Sequence, residues 1–320
     1  MSLNLKGKSK LIAITTYFNP CLYSNRIKNF RIFRSHLAVP LMAVELSFTG
    51  NFELKDGDAD YLYRLNGDTV IWQKERLLNT LIDHIPEEYD YVAWLDCDVI
   101  ISAKDWPDQA IQKLKDHQLV QLFSNFVDLP NGDFFFENNE SSFAERSGYA
   151  ISFLKAAAMD SAEDFRPLTS GRLRKAAFGL AWASTVSLLK KYGFYDAMII
   201  GSGDRALACA AFGQFEDLLF VGKMNEHRSH HYLQWAIPFH NEVKHNVGYL
   251  DTTLYHLWHG EISDRNYVQR HEAFSKFDFN PSLDLVIAEN GCWSLKKRDP
   301  EMEKFFIDYF YARKEDGIES

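Results

Sequence analysis

The chain has 320 residues, of which 46% are hydrophobic and 25% charged, and its net charge is −9. This composition is typical of a globular protein with a substantial buried core. The negative charge argues against nucleic acid as an electrostatically bound partner. No apolar run reaches ~20 residues and no signal-peptide core is present, so we expect neither a transmembrane segment nor secretion. We therefore expect a cytoplasmic protein, with peripheral attachment to a membrane left open.

The first third of the chain alternates strand and helix patterns. β-branched and apolar runs predict strands, and apolar residues at helical spacing predict helices. The predicted strands are 11–17, 41–48, 61–65, 91–101 and 119–126, and the predicted helices are 27–36, 72–85 and 108–117. This alternation predicts an α/β fold with a mostly parallel sheet flanked by helices.

The rest of the chain is less regular. The polar segment 128–147 predicts a binding loop, and 196–212 holds a Gly-rich turn followed by an Ala-rich helix. An aromatic, charged helix is predicted over 303–313. Because no repeat or linker is apparent, we predict one domain over 1–280 and a C-terminal extension over 281–320 that packs on it.

Two carboxylates, Asp96 and Asp98, interrupt the apolar run at 91–101. Burying two acids is unfavourable unless a cation or hydrogen bonds compensate their charge. At the end of a parallel strand, where open α/β sheets bind ligands, such a pair can hold a divalent ion and through it a diphosphate. The alternative is that one carboxylate caps the next element and the other is solvated.

Two later segments carry further candidate groups. Asp204 follows Gly201-Ser202-Gly203 at the start of a predicted helix, where it is either a helix cap or a general base for an attacking hydroxyl. His256 and His259 lie in an aromatic segment, and neutral imidazole is a common metal ligand. In an extended chain these two histidines point to opposite faces, so both bind one ion only if the chain turns.

The end of the first predicted strand is a candidate nucleotide site. Thr15, Tyr17 and Asn19 offer hydroxyl and amide contacts to a base and ribose, and Lys74 either meets phosphate or is solvated. The chain has no Gly-x-Gly-x-x-Gly after this strand and no Walker-type Gly-Lys-Ser/Thr. This absence argues against a dinucleotide enzyme and against a P-loop nucleoside triphosphatase.

In this order, the motifs resemble the GT-A fold nucleotide-sugar glycosyltransferases, in particular the β-1,4-galactosyltransferase-like and family 2-like group. The segment 72–79 (WQKERLLN) and the Asp-x-Asp run are similar to the helix and metal strand of that group. The turn at 201–204 and the segment 255–260 stand where the group has its acceptor-activating acid and its metal-binding histidine. The turn has one acid where the group has two, so a different acceptor site is expected and galactose as donor sugar is not supported. Lys74 stands where the group has Arg, which leaves its contact with phosphate open.

The resemblance implies a Rossmann-like GT-A domain with a C-terminal helical extension. It implies a metal-dependent reaction of the hexosyltransferase type that proceeds with inversion. In this reaction a sugar moves from a UDP-linked nucleotide-sugar to a hydroxyl of a glycan or glycoconjugate. Mn²⁺ or Mg²⁺ would bind Asp98 and His259, with His256 as the alternative to His259, and Asp96 would contact the ion or the ribose. Asp204 would be the catalytic base. The expected donor contacts are Thr15, Tyr17, Asn19, Lys74 and Asp96.

Three other classes stay open. A sugar-phosphate nucleotidyltransferase shares the sheet and the acidic metal ligands, but it carries a Gly-rich basic loop that the segment after the first strand lacks. A non-catalytic carbohydrate- or nucleotide-binding relative is the second alternative, and the intact acids at 96, 98 and 204 argue against it. A metal-dependent hydrolase is the third, and it is expected to show a denser His/Asp cluster.

Overall fold

The computed structural model describes residues 10–132, 146–157, 176–266 and 269–317, except for the side chain of Ile262. The centre of the predicted binding loop, 133–145, lies outside the described residues. The strands are β1 (Leu11–Phe18), β2 (Leu41–Ser47), β3 (Tyr61–Asn66), β4 (Tyr91–Leu95), β5 (Val99–Ile101), β6 (Leu119–Gln121), β7 (Asn125–Asp128), β8 (Ser147–Ala150), β9 (Ala176–Ala177), β10 (Ala181–Thr185), β11 (Val247–Tyr249), β12 (Thr253–His256), β13 (Leu285–Ile287) and β14 (Trp293–Leu295). The α-helices are α1 (Ser24–His36), α2 (Lys74–Ile82), α3 (Trp106–Lys113), α4 (Ile151–Ala157), α5 (Val186–Tyr192), α6 (Gly203–Ala211), α7 (Phe215–Val221), α8 (Glu226–Val243), α9 (Gln269–Phe274), α10 (Pro281–Asp284) and α11 (Pro300–Ala312).

A seven-stranded sheet with the order β11-β6-β10-β4-β1-β2-β3 forms the centre of the fold. Neighbouring strands from β4 to β3 are parallel, as are β11 and β6, whereas β10 runs antiparallel to both β4 and β6. Helix α1 connects β1 to β2 and helix α2 connects β3 to β4, as the alternation of patterns predicted, whereas β2 and β3 are joined without a helix. The predicted α/β class with a mostly parallel sheet flanked by helices is therefore confirmed.

A second sheet, with the order β5-β12-β7-β8-β9, begins where two predicted strands break. The prediction of one strand over 91–101 is wrong, because the chain leaves the first sheet after Leu95 and enters the second at Val99. The prediction of one strand over 119–126 is wrong for the same reason, since β6 and β7 belong to different sheets.

Amphipathic helices cover the first sheet. In α2 the apolar side chains of Leu77, Leu78 and Leu81 are buried, and fully burying each leucine contributes about 1.5–3 kcal/mol. The helix lies within the predicted range 72–85. In the same apolar cluster, Trp182 of β10 is fully buried and stacks on Trp94 of β4 with ring centroids 6.5 Å apart.

The segment 281–317 contains more than the helix that was expected. A two-stranded antiparallel hairpin, β13 and β14, precedes α11, and its loop contains Gly291 with φ of +85°. Phe306 and Phe310 of α11 are buried in the same apolar cluster as the face of β1 that carries Ile12. The division of the chain at residue 280 stays a prediction. Within the described ranges, no helix combines the length and the apolar character needed to cross a bilayer.

Candidate active site

The end of β4 is where the two sheets meet. Thr15 of β1 donates a 2.7 Å hydrogen bond from Oγ1 to the carbonyl of Leu95, which ties the first strand to the start of the Asp-x-Asp segment. Beyond Asp98, β5 pairs antiparallel with β12, and β12 pairs in parallel with β7. In this register His256 lies opposite Asp128, and Leu257 N donates to the carbonyl of Asp98. Backbone pairing therefore places Asp98 beside the end of β12.

His256 and His259 converge on Asp98 because β12 ends at His256 and the chain turns. Their Nε2 atoms are 3.0 Å apart. The carboxylate of Asp98 lies 3.3 Å from His259 Nε2 and 3.7 Å from His256 Nε2. One ligand atom from each of the three buried side chains falls within 4.8 Å of the others. The two histidines that were predicted as alternative ligands thus belong to one cluster.

The donor set fits a divalent cation. Two ligand atoms that each lie about 2.1 Å from one ion and at right angles are about 3 Å apart, which matches the separation of the Nε2 atoms. Two imidazole nitrogens and one carboxylate oxygen suit Mn²⁺, Fe²⁺ or Zn²⁺. Within the described part of the chain, Asp98 Oδ1 is buried without a hydrogen-bond partner, so an acceptor in the cluster stays available.

The charges of the cluster are set by burial and neighbours. Burial raises the pKa of Asp98, which His256 partly offsets. Burial alone would lower the pKa of His256, but its 2.7 Å contact with Asp128 and the charge of Asp98 raise it overall. Burial and Arg265 hold the pKa of His259 well below its usual range, so this imidazole is neutral at pH 7. A neutral imidazole is the form that binds metal.

Lys74 joins the two other predicted acids. Its Nζ lies 2.5 Å from Asp96 Oδ1 and 2.9 Å from both carboxylate oxygens of Asp204. Burial alone would lower the pKa of Lys74, but Asp204 and Asp96 outweigh it and raise the pKa well above its usual value. Burial and Asp96 raise the pKa of Asp204, while Lys74 opposes them. The Asp96 and Asp204 side chains keep 26% and 29% of their exposure, so both can meet a ligand.

Glu75 is a site residue that no motif marked. It is buried beside Asp204, and burial together with the charge of Asp204 raises its pKa to about 8. A Cβ on Gly203 would lie 2.1 Å from the carboxyl carbon of Glu75, so this carboxyl fills the space beside the start of α6. Only its position in the sequence could have indicated that Glu75 is buried. It precedes Leu78 by three residues and Ile82 by seven, which places it on the buried face of α2.

The three residues at the end of the first strand that were predicted to contact the base and ribose are buried, and their polar atoms bond within the protein. Tyr17 Oη and Asn19 Nδ2 both donate to Glu53 Oε2, at 2.8 and 2.9 Å. Asn19 Oδ1 also accepts from the backbone N–H of Tyr23. Glu53, which no sequence pattern indicated, is therefore held at the end of β1. Donor contacts of Thr15, Tyr17 and Asn19 stay a prediction.

A cavity of about 270 Å³ opens beside the histidine cluster. Its walls include His256, Trp258 and the carboxylate of Asp128. Two guanidinium groups, Arg146 and Arg265, also line it. The cavity thus combines an aromatic surface, positive charge and one of the three possible metal ligands.

No family model matches the chain, and no curated protein matches it in sequence. Among solved structures, the chain is similar to TarS from S. aureus in complex with UDP-GlcNAc, at 10% identity and a TM-score of 0.39, over 96% of this chain and 73% of TarS. It is also similar to the mannosyltransferase PcManGT from Pyrobaculum calidifontis in complex with GDP-Man and Mn²⁺, at 14% identity and a TM-score of 0.41, over 96% and 70%. A third similarity is to 4-diphosphocytidyl-2C-methyl-D-erythritol synthase from Anaerococcus prevotii, at 8% identity and a TM-score of 0.36, over 76% and 87%. Likenesses this weak do not distinguish among the activities of these proteins.

Proposed function

We propose that the protein is a metal-dependent glycosyltransferase that moves a sugar from a UDP-linked donor to an acceptor hydroxyl with inversion. The observation that carries the proposal is the arrangement around the Asp-x-Asp segment. Asp98 joins His256 and His259 in a cluster that fits a divalent cation. Two residues earlier, Asp96 joins Lys74 and Asp204. One short segment thereby connects a cation site with a partly exposed carboxylate that can act as a base.

The cation site serves the leaving group. Asp98, His256 and His259 would hold the ion, and Mn²⁺ suits this mixed set of nitrogen and oxygen ligands. When bound, the ion stabilises the charge that develops on the nucleoside diphosphate. Arg265 and Arg146, which line the adjoining cavity, add positive charge on the side where the diphosphate would lie.

Asp204 serves the acceptor. It takes the proton of the acceptor hydroxyl while the oxygen forms a bond to the anomeric carbon and the bond from that carbon to the diphosphate breaks. Lys74 favours the ionised form of Asp204 before this step, and Asp96 holds Lys74 in place. In this scheme Asp96 acts through Lys74 and is not required as a ligand of the ion.

The nucleoside would lie at the end of β1. Because Tyr17 and Asn19 bond to Glu53, they contribute by fixing the Glu53 carboxylate, which can accept hydrogen bonds from ribose hydroxyls. Thr15 contributes by fixing Leu95 at the start of the Asp-x-Asp segment.

Asp204→Asn tests the assignment of the base. The change keeps the size of the side chain but removes its basicity, so we expect transfer to fall by about 10²- to 10⁴-fold. Binding of the UDP-sugar in the presence of Mn²⁺ is expected to be retained. The measurement is UDP release and product mass, with donor sugars and simple saccharide acceptors screened by mass spectrometry.

A matched control is available, because α2 also carries Arg76, which pairs with a second aspartate. Asp196 lies 3.0 Å from Arg76 of α2, in a pair that parallels Asp204 and Lys74 but lies outside the proposed site. Asp196→Asn is expected to retain transfer. Full transfer activity in Asp204→Asn would reject the base assignment. Pyrophosphate release from UTP and a sugar phosphate, without UDP release from any UDP-sugar, would instead identify a nucleotidyltransferase.

A further inference from the structure

The loop that carries His256 and His259 is covered by the segment 313–317, which follows α11. Gly260 has φ of +90°, and a Cβ there would lie 2.4 Å from the carbonyl oxygen of Arg313. At the other end of the segment, the Asp316 carboxylate accepts from the backbone N–H groups of Ser24 and Asn25, each at 2.8 Å. The segment is thus fixed on the start of α1 and packs closely on the histidine loop.

Glu315 lies at the centre of this segment, with 1% of its side chain exposed. Arg26 Nη1 donates to both carboxylate oxygens, at 3.0 and 2.8 Å, and Arg313 Nε donates to Oε1 at 2.5 Å. Burial alone would raise the pKa of Glu315, but the two arginines hold it well below its usual range. Glu315 is therefore a buried carboxylate with a fixed position and a full negative charge.

The carboxylate of Glu315 faces the outer nitrogen of His259. Glu315 Oε1 lies 3.8 Å from His259 Nδ1, which is too long for a hydrogen bond. His259 Nδ1 is buried and, in the ranges that the structure describes, has no hydrogen-bond partner. A shift of about 1 Å would bring the pair to hydrogen-bonding distance.

His256 shows what such a contact does. Its Nδ1 lies 2.7 Å from Asp128, so its Nε2 is directed at the cluster with Asp98. Histidines that bind metal commonly donate their other ring N–H to a carboxylate, which fixes the ring and strengthens the ligand. His256 has this contact already, whereas His259 lies close to the carboxylate but does not reach it.

We propose that Glu315 is the positioning residue of His259. When a cation binds between Asp98, His256 and His259, His259 Nδ1 donates to Glu315, and this bond fixes Nε2 on the ion. Arg26 and Arg313 hold Glu315 in place, so a segment distant in sequence completes the metal site. This inference rests on the proposed metal-dependent function.

The test is the binding of Mn²⁺ alone to the full chain. Binding is measured through the electron paramagnetic resonance signal of the Mn²⁺ that remains free. Glu315→Gln removes the charge and is expected to weaken binding by about 10- to 100-fold, as is Asp128→Asn at the other histidine. Glu315→Asp keeps the charge but draws the carboxylate away from His259, so a smaller loss is expected. Asp316→Asn loosens the same segment at α1 and is expected to retain wild-type affinity.

A second measurement separates positioning from general loosening. With Zn²⁺ as a diamagnetic probe and ¹⁵N-labelled histidine, the wild-type chain is expected to show a hydrogen-bonded Nδ1 proton on His259 that Glu315→Asp lacks. Equal Mn²⁺ affinity of the wild type, Glu315→Gln and Glu315→Asp would overturn the inference and leave the proposed function standing. Absence of Mn²⁺ binding by the wild type would instead reject the proposed function.

Discussion

Among single residues, Lys74 connects the Asp-x-Asp segment with the start of α6. One ammonium group faces Asp96 and Asp204 directly, and Glu75 is buried beside them. Ionised carboxylates that crowd one buried ammonium repel each other, which favours a proton on the most deeply buried of them. Glu75 is that residue, because its pKa is raised to about 8 by burial and by Asp204.

Glu75→Gln tests this assignment through stability. The pKa of Glu75 rises from 4.5 to about 8 on folding, so the stabilisation of its neutral form is fully present below pH 4.5 and is lost as the pH rises through 8. Glutamine is neutral at every pH, so the Glu75→Gln variant does not lose this stabilisation as the pH rises. We expect the unfolding free energy of the wild type to fall relative to Glu75→Gln between pH 5 and pH 8, by about 1.4 kcal/mol per unit at most. Urea denaturation at three pH values measures this difference, and parallel pH dependences would contradict the assignment.

At the scale of elements, the contact between the starts of α2 and α6 is the tightest feature of the site. Gly203 is the first residue of α6, and Glu75 occupies the space that a side chain there would need. Alanine is ordinarily better than glycine in a helix by about 1 kcal/mol. Here the added methyl group displaces a buried carboxyl, so steric overlap outweighs the helix preference.

Gly203→Ala is therefore expected to destabilise the protein by about 1–3 kcal/mol. In a Glu75→Ala background the space is free, so the same substitution is expected to be neutral or stabilising. A double-mutant cycle measured by chemical denaturation gives the coupling between the two positions. The same loss in both backgrounds would show that Gly203 is required for another reason.

The elements that could be predicted from the sequence are those with strong local patterns. The strand at 11–17 and the helix at 72–85 follow from a β-branched run and from helical spacing that ends at Pro86. The run at 91–101 could not be divided in the same way, because its residues are apolar on both sides of the acids. Only the pairing of β5 with β12, more than 150 residues later, separates it into strands of two sheets.

The parallel sheet of the protein follows from the alternation of local patterns, whereas the contacts of the candidate site do not. The residue types were predictable, since Asp98, Asp204 and the histidines stand in recognisable motifs. Their partners were not predictable, because they are far apart in sequence. Lys74 contacts Asp204, which is 130 residues later, and Arg26 contacts Glu315, which is 289 residues later. Such contacts depend on how the two sheets and the segment after α11 pack together.

The junction of the two sheets holds the proposed cation site, and binding of UDP tests that proposal directly. If Asp98, His256 and His259 hold an ion that bridges to a diphosphate, UDP binding must depend on that ion. Calorimetry with UDP, with Mn²⁺ or with a chelator, measures this for the wild type and for Asp98→Asn. We predict that Mn²⁺ strengthens UDP binding to the wild type by at least about tenfold, or about 1.4 kcal/mol, and that Asp98→Asn loses this dependence. UDP affinity that is the same with and without Mn²⁺, or an absence of UDP binding, would contradict the proposed metal-dependent binding of the nucleotide.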